Sequence, residues 1–191
     1  VLSQDNKQKK VKIEHADELE GGIHNGKEVR KLRGDVVFSQ DGAKMYCDSA
    51  YQYAKENSID AFGRVRIVQG DSMTILGNSL KYNGNTKIAK MKGNVIMKDK
   101  TMTLYTDFLD YNVGTKTAFY YQGGKIVDKN MVLTSERGRY HSPSKTMFFK
   151  DSVFLDNKDY KVWCDTLNYN TFTKTAFFLG PTNIDSKGTK L

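Results

Sequence analysis

Five tyrosines, Tyr53, Tyr82, Tyr111, Tyr140 and Tyr169, follow one another at intervals of 29 residues. Four equal intervals in succession constrain this chain more than any figure of composition. A self-similar period of roughly 20–50 residues is the mark of small structural units laid side by side, none of which can bury its apolar face alone. Other columns align around the tyrosines. Two residues earlier stand Tyr51, Leu80, Leu109, Gly138 and Leu167. A polar column of Asp48, Asn78, Asp107, Glu136 and Asp165 lies four residues before the tyrosine, five in the first copy, and is preceded by Cys47, Gly77, Thr106, Ser135 and Cys164. Further upstream come Met45, Ile75, Leu104, Leu133 and Val162. Gly34, Gly63, Gly93, Gly123 and Gly180 form a last column, in which Asp151 replaces glycine once.

Within each copy the apolar positions are two apart, as in Met102, Leu104, Thr106 and again Leu109, Tyr111. That is the alternation of a strand with one buried face. The phase slips at the polar column, which predicts a bulge or corner there. Asn83-Gly84-Asn85, Asn112-Val113-Gly114 and Ser142-Pro143-Ser144 follow the tyrosines as turns, since Asn and Gly tolerate positive φ and Pro presets a turn dihedral. Each copy therefore reads as a strand pair, and successive copies are expected to stack sheet on sheet. The predicted fold is all-β: a repetitive half-open β-jelly roll or β-solenoid of 29-residue strand pairs spanning residues 15–185, with a flexible polar leader at 1–14 and a tail or linker at 186–191.

The composition agrees. There are 11 Tyr and 10 Phe but only two prolines, Pro143 and Pro181, a mixture that favours strands over helices and over disorder. No apolar run approaches the ~18 residues of a membrane-spanning helix. The net charge of +8 is spread through every copy, so the surface attracts polyanions of several kinds without choosing among them. Val1-Leu2-Ser3-Gln4-Asp5 has neither the charged start nor the apolar stretch of a signal peptide. Cys47 and Cys164 share a column four copies apart; four rungs of about 4.8 Å would separate them by about 19 Å, too far for a disulfide, which needs Cα atoms within about 7 Å. Two buried free thiols are expected.

A search for chemistry finds little. His15, His24 and His141 lie in different parts of the pattern, and no Cys/His spacing suggests a metal site. Stacked carboxylates could signal glycoside cleavage or calcium binding, but the polar column mixes Asp, Asn and Glu at a predicted corner, where such residues bond to their own backbone. No phosphate-binding glycine loop, Ser-centred nucleophile or calcium-binding nonapeptide appears. No catalytic residue, cofactor or metal is predicted. Nucleic acid is disfavoured as well, because single-strand binders expose their aromatics along a basic groove, whereas these tyrosines share the phase of the leucines and methionines.

The phrases Leu32-Arg33-Gly34-Asp35-Val36-Val37-Phe38, Ala61-Phe62-Gly63-Arg64-Val65 and Met91-Lys92-Gly93-Asn94-Val95-Ile96-Met97 resemble those of the periplasmic lipopolysaccharide-transport proteins of the OstA/LptA type, a family that includes the N-terminal domain of the outer-membrane partner LptD. The resemblance covers about residues 15–185. It implies a half-open jelly roll that passes acyl chains along an apolar groove, a periplasmic address with the signal peptide removed, and no enzymatic activity. It places Met45, Ile75, Leu104, Leu133 and Val162 along the groove, with Leu80, Leu109 and Leu167 beside them and Tyr53, Tyr82, Tyr111 and Tyr169 lining the same interior. Lysines and arginines on the rim would meet phosphorylated sugars. The implied partners are lipopolysaccharide or lipid A and other Lpt-type β proteins joined through end strands, with head-to-tail self-association allowed. The competing reading is a structural or adhesive solenoid with a filled core and no ligand; a carbohydrate-active β-helix enzyme comes third.

Overall fold

The computed structural model describes residues 9–71 and 73–186, and among them every regular element is a β-strand. In chain order these are β1 (Lys12–His15), β2 (Glu18–His24), β3 (Lys27–Gln40), β4 (Ala43–Tyr53), β5 (Ser58–Gln69), β6 (Met73–Asn83), β7 (Ile88–Lys98) and β8 (Thr103–Asn112). The shorter β9 (Thr117–Tyr120), β10 (Gly124–Val127), β11 (Met131–Ser135) and β12 (Arg137–His141) follow, then the long β13 (Thr146–Asn157), β14 (Tyr160–Asn170) and β15 (Thr175–Ser186). All 15 belong to one antiparallel sheet in which neighbours in sequence are mostly neighbours in space.

The bend predicted at the polar column is real and runs through the whole sheet. Register shifts fall between Arg33 and Val36, Tyr46 and Ser49, Phe62 and Val65, Leu76 and Ser79, and Lys92 and Val95, with further ones in β13 and β14. Some strands break there altogether: β8 pairs with β10 on one side of the bend and β9 on the other, and β13 pairs likewise with β11 and β12. Glycine is needed at this line. Gly34, Gly63 and Gly93 sit at φ of 72°, 77° and 81°, each followed by a second left-handed residue, Asp35, Arg64 and Asn94. A Cβ on Gly34 would strike the side chain of Asp17, between β1 and β2, and one on Gly93 that of Asn78 in β6. At Gly63 and Gly93 the polar column and the glycine column are thus two sides of one contact: the short side chain of Asp48 or Asn78 fills the space where a glycine side chain would be, whereas at Gly123 that space is open.

The bend folds the sheet over itself into two arms. One, the tyrosine arm, carries Tyr82, Tyr111 and Tyr140; the other, the glutamine arm, carries Gln40 and Gln69 at its hairpin ends. Copies expected to stack sheet on sheet instead join edge to edge by ladder hydrogen bonds within this single folded sheet. That changes one distance: Cys47 on β4 and Cys164 on β14 are eight strands apart, or roughly 38 Å at about 4.8 Å per strand, not 19 Å. Both remain free, buried thiols.

Residues 12–14, expected within the flexible leader, are part of a strand. β1 begins at Lys12 and pairs with β3, and Val11 is buried; residues 1–8, and the tail from 187 onward, lie outside the described residues. The alternation of Val11 and Ile13 with lysines and Glu14 is a weak strand pattern that the run of charge conceals.

Candidate functional site

Between the arms lies a continuous apolar interior. On the glutamine arm one row of cross-strand partners runs Ile13, Phe38, Met45, Ile67, Ile75, Met97, Leu104, Ile126, Leu133, Leu155, Val162, Ile184, each directly opposite the next. The predicted residues Met45, Ile75, Leu104, Leu133 and Val162 are alternate rungs of it. On the tyrosine arm Leu80, Leu109 and Leu167 lie in a second buried row, with Tyr82, Tyr111 and Tyr140 in a third nearer the hairpins; Tyr169 continues that third row half-buried. These side chains pack tightly, with Ile75, Leu109 and Leu133 fully buried.

Tyr53 is the exception among the predicted lining residues. Its hydroxyl lies 2.9 Å from His24 Nδ1 and 3.3 Å from Asp60 Oδ2, and Lys27 stands over its ring. Tyr53 is covered, but on the outer face, together with Tyr51, which stacks on His24 at 4.1 Å. The first copy has one extra residue between the polar column and the tyrosine. Because side chains alternate with a period of two, a shift of one turns Tyr53 outward and brings Gln52 into the interior row; Gln52 is buried and directly opposite Ile59, itself opposite Tyr82. Gly138 explains itself in the same way. The Tyr120 ring lies where its side chain would be, so no leucine fits there.

The sequence reading missed what closes the mouth between the two arms. Tyr82 donates to Gln40 Oε1 at 2.6 Å, and Tyr111 donates to Gln69 Oε1 at 2.6 Å. The same glutamines use Nε2 to donate to turn carbonyls of the tyrosine arm, Gln40 to Gly84 and Gln69 to Val113, both at 2.9 Å. Tyr140 repeats the contact on Asp99 Oδ2 at 2.5 Å. Outside these bonds, ion pairs join the lips: Lys87 to Asp41 at 2.7 Å and Lys145 to Asp99 at 3.9 Å. Burial would raise the Asp99 pKa, but hydrogen bonds from Tyr140, Thr101 and the Met102 amide outweigh it and hold the carboxyl below its ordinary value. At the start of the seam the chain's own Lys9–Val11 lies across the mouth: the Val11 amide donates to Asn57 Oδ1 at 2.8 Å, and Gln52 Nε2 donates to the Val11 carbonyl at 3.3 Å. At the other end Tyr169 is half-buried. Burial and then the Asp128 charge push its hydroxyl pKa up, and among the described residues it has no hydroxyl hydrogen bond.

Elsewhere the polar groups are engaged singly. Arg64 holds Asp48, Arg137 holds Asp151, and Asp165 accepts from Thr166. The histidines lie apart, His15 by Asp17 and His141 by Ser144; among the described residues no group of side chains is arranged to hold a metal ion. A trough of about 710 Å³ lies along the bend, lined by Tyr46, Arg66 and Leu76 of the outer face of the glutamine arm and by Val36, Cys47 and Val65 at the bend itself.

Residues 8–165 match the family described as OstA-like protein. The chain belongs to the OstA-like family. Among solved structures, this OstA-like chain is similar to LptH, the LptA homologous periplasmic component of the lipopolysaccharide transport device of Pseudomonas aeruginosa. The two are 14% identical, with 78% of this chain and 95% of that one covered and a TM-score of 0.34. No curated protein matches.

Proposed function

We propose that this OstA-like protein carries lipopolysaccharide across the periplasm towards the outer membrane, its acyl chains held between the two arms and its phosphorylated sugars outside. The observation that carries this reading is the unbroken apolar row from Ile13 to Ile184, in a member of this family. Among the described residues the row ends without a polar cap: Ile184 is 61% exposed although its partner Val162 is 1% exposed. Beyond the ends of the sheet an acyl chain or a second apolar interior could continue the row. Among the described residues β15 is an edge, paired only with β14, and an unpaired edge templates another strand. Its exposed Phe177 and Leu179 suit an apolar β partner, either another Lpt-type protein or a second copy joined head to tail. Lys116 along the lip, joined by Lys87 and Lys145 once these part from Asp41 and Asp99, supplies charge for phosphates.

One observation favours the second reading, a structural solenoid without ligand: the interior side chains leave almost nothing exposed between the arms. A photo-crosslinking residue at Leu104, with Tyr105 of the outer face as control, separates the two in cells that make lipopolysaccharide. Lipid adducts at Leu104 alone support carriage. Their absence at Leu104 in folded, exported protein supports the filled solenoid.

A further inference from the structure

The interior is filled, so an acyl chain can enter only if the arms part. Along the bend they cannot, since the chain itself and the ladder hydrogen bonds hold them. Across the mouth they are joined only by side chains: Tyr–Gln hydrogen bonds, the glutamine amides on two turn carbonyls, one Tyr–Asp bond, and ion pairs from part-exposed lysines to the more buried Asp41 and Asp99. A neutral hydrogen bond that water replaces on opening contributes little net stability.

The two lips differ in construction. On the tyrosine arm, successive hairpins are tied to one another through backbone: Gly84 N to Asn57 O at 2.8 Å, Val113 N to Lys87 O at 2.9 Å, Ser142 N to Lys116 O at 3.1 Å and Thr171 N to Lys145 O at 2.9 Å. Among the described residues no such backbone bonds tie the hairpins of the glutamine arm to one another. The glutamine arm also carries Met45, Met73, Met97 and Met102 in its buried face, side chains that adapt to a changing apolar neighbour. The closure is graded along its length: Lys9–Val11 covers its start, glutamine rungs hold its middle, and Tyr169 has no rung.

We propose that this line of Tyr–Gln contacts is a seam that opens to admit acyl chains sideways, the glutamine arm swinging from a braced tyrosine arm and parting first at the end nearest Tyr169. The purpose assigned to the opening rests on the carriage reading; the opening itself does not.

The test uses Leu104→Cys in the full chain with Cys47 and Cys164 replaced by Ser, and follows maleimide labelling of the buried thiol. The stability of each variant, measured alongside, gives the rate that global unfolding alone would produce. The seam predicts labelling at least tenfold above that rate, and a further rise of at least fivefold in Tyr111→Phe/Gln69→Leu. Tyr120→Phe breaks a buried hydroxyl contact with Ser135 of the same length, 2.6 Å, away from the mouth and should leave the excess unchanged. Labelling that never exceeds global unfolding overturns the seam, as does an equal rise in Tyr120→Phe. A photo-crosslinker at Leu104 exposed to purified lipopolysaccharide then separates the two ideas. Adducts that rise in the same order as labelling support entry through the seam, whereas a seam that opens without adducts removes carriage and leaves the opening standing.

Discussion

Tyr111 and Gln69 meet across the mouth of the folded sheet, hydroxyl to Oε1 at 2.6 Å, although 42 residues separate them. Tyr82 and Gln40 meet in the same way over the same separation. Each glutamine is buried and uses its amide nitrogen on a turn carbonyl as well, so each rung links one arm to the other twice.

Removing the hydroxyl should therefore be costly. Tyr111→Phe leaves Gln69 Oε1 buried and unpaired, an expected loss of about 1–3 kcal/mol. Tyr53→Phe, which removes a hydroxyl on the outer face, should lose less than about 1 kcal/mol because water can reach its partners. Urea midpoints at constant m-value compare the two; equal losses would mean that the Tyr111 rung is no stronger than a surface contact.

Glycines at the bend and at a hairpin should respond differently to alanine. Gly34 and Gly42 have nearly the same φ, 72° and 77°, so both substitutions carry the left-handed penalty of roughly 1–2 kcal/mol. At Gly42 the added methyl meets open space, whereas at Gly34 it would lie 2.8 Å from Asp17 Cβ. Gly34→Ala should be worse by about 1–3 kcal/mol of overpacking, read as the difference in thermal midpoints.

Alkali should weaken the fold through its buried tyrosines. Burial pushes the hydroxyls of Tyr111 and Tyr120 from 10 up to about 12. Between those values the unfolded chain has lost protons that the folded chain keeps, so stability is full below about pH 10 and falls as pH rises towards 12. The double variant Tyr111→Phe/Tyr120→Phe should be less stable at neutral pH but lose less between pH 9 and 12. Parallel curves for the two proteins would contradict the assignment.

Cys47, close to the bend at the far end of the sheet from Tyr169, should be inert until unfolding. Burial pushes Cys47 up to about 12 and raises Cys164 more modestly, and the thiolate is the reactive form. Under native, non-reducing conditions the intact mass should show no intramolecular bridge, and a thiol reagent at pH 8 should modify Cys47 only as the protein unfolds. Fast modification of Cys47 in the folded protein would show that the bend is open to solvent.

Much of the interior was legible in the sequence because alternation is local. Whether Leu104 faces in or out depends on its neighbours two residues away, and the slip at Asp107 announces a bend without reference to any other strand. Tyr53 shows the limit of that reading. Its 29-residue spacing matches the later tyrosines, but one added residue between Asp48 and Tyr53 reverses its face, and only the pairing of Gln52 with Ile59 reveals which residue took its place.

The sequence by itself determined that residues 15–185 are built of strands, where those strands bend and, beyond the first copy, which of their faces is apolar. All three follow from patterns within a few residues, through the two-residue period of a pleated strand and the conformational freedom of glycine. Only the tertiary structure decided that the copies join in one folded sheet, that Lys9–Val11 lies across its mouth, and that Gln40 and Gln69 lock it to the tyrosine arm. The tyrosine–glutamine contacts span 42 residues, which is no multiple of the 29-residue spacing. They depend on the angle of the bend and the stagger of one arm on the other, quantities summed over many residues and written in none of them singly.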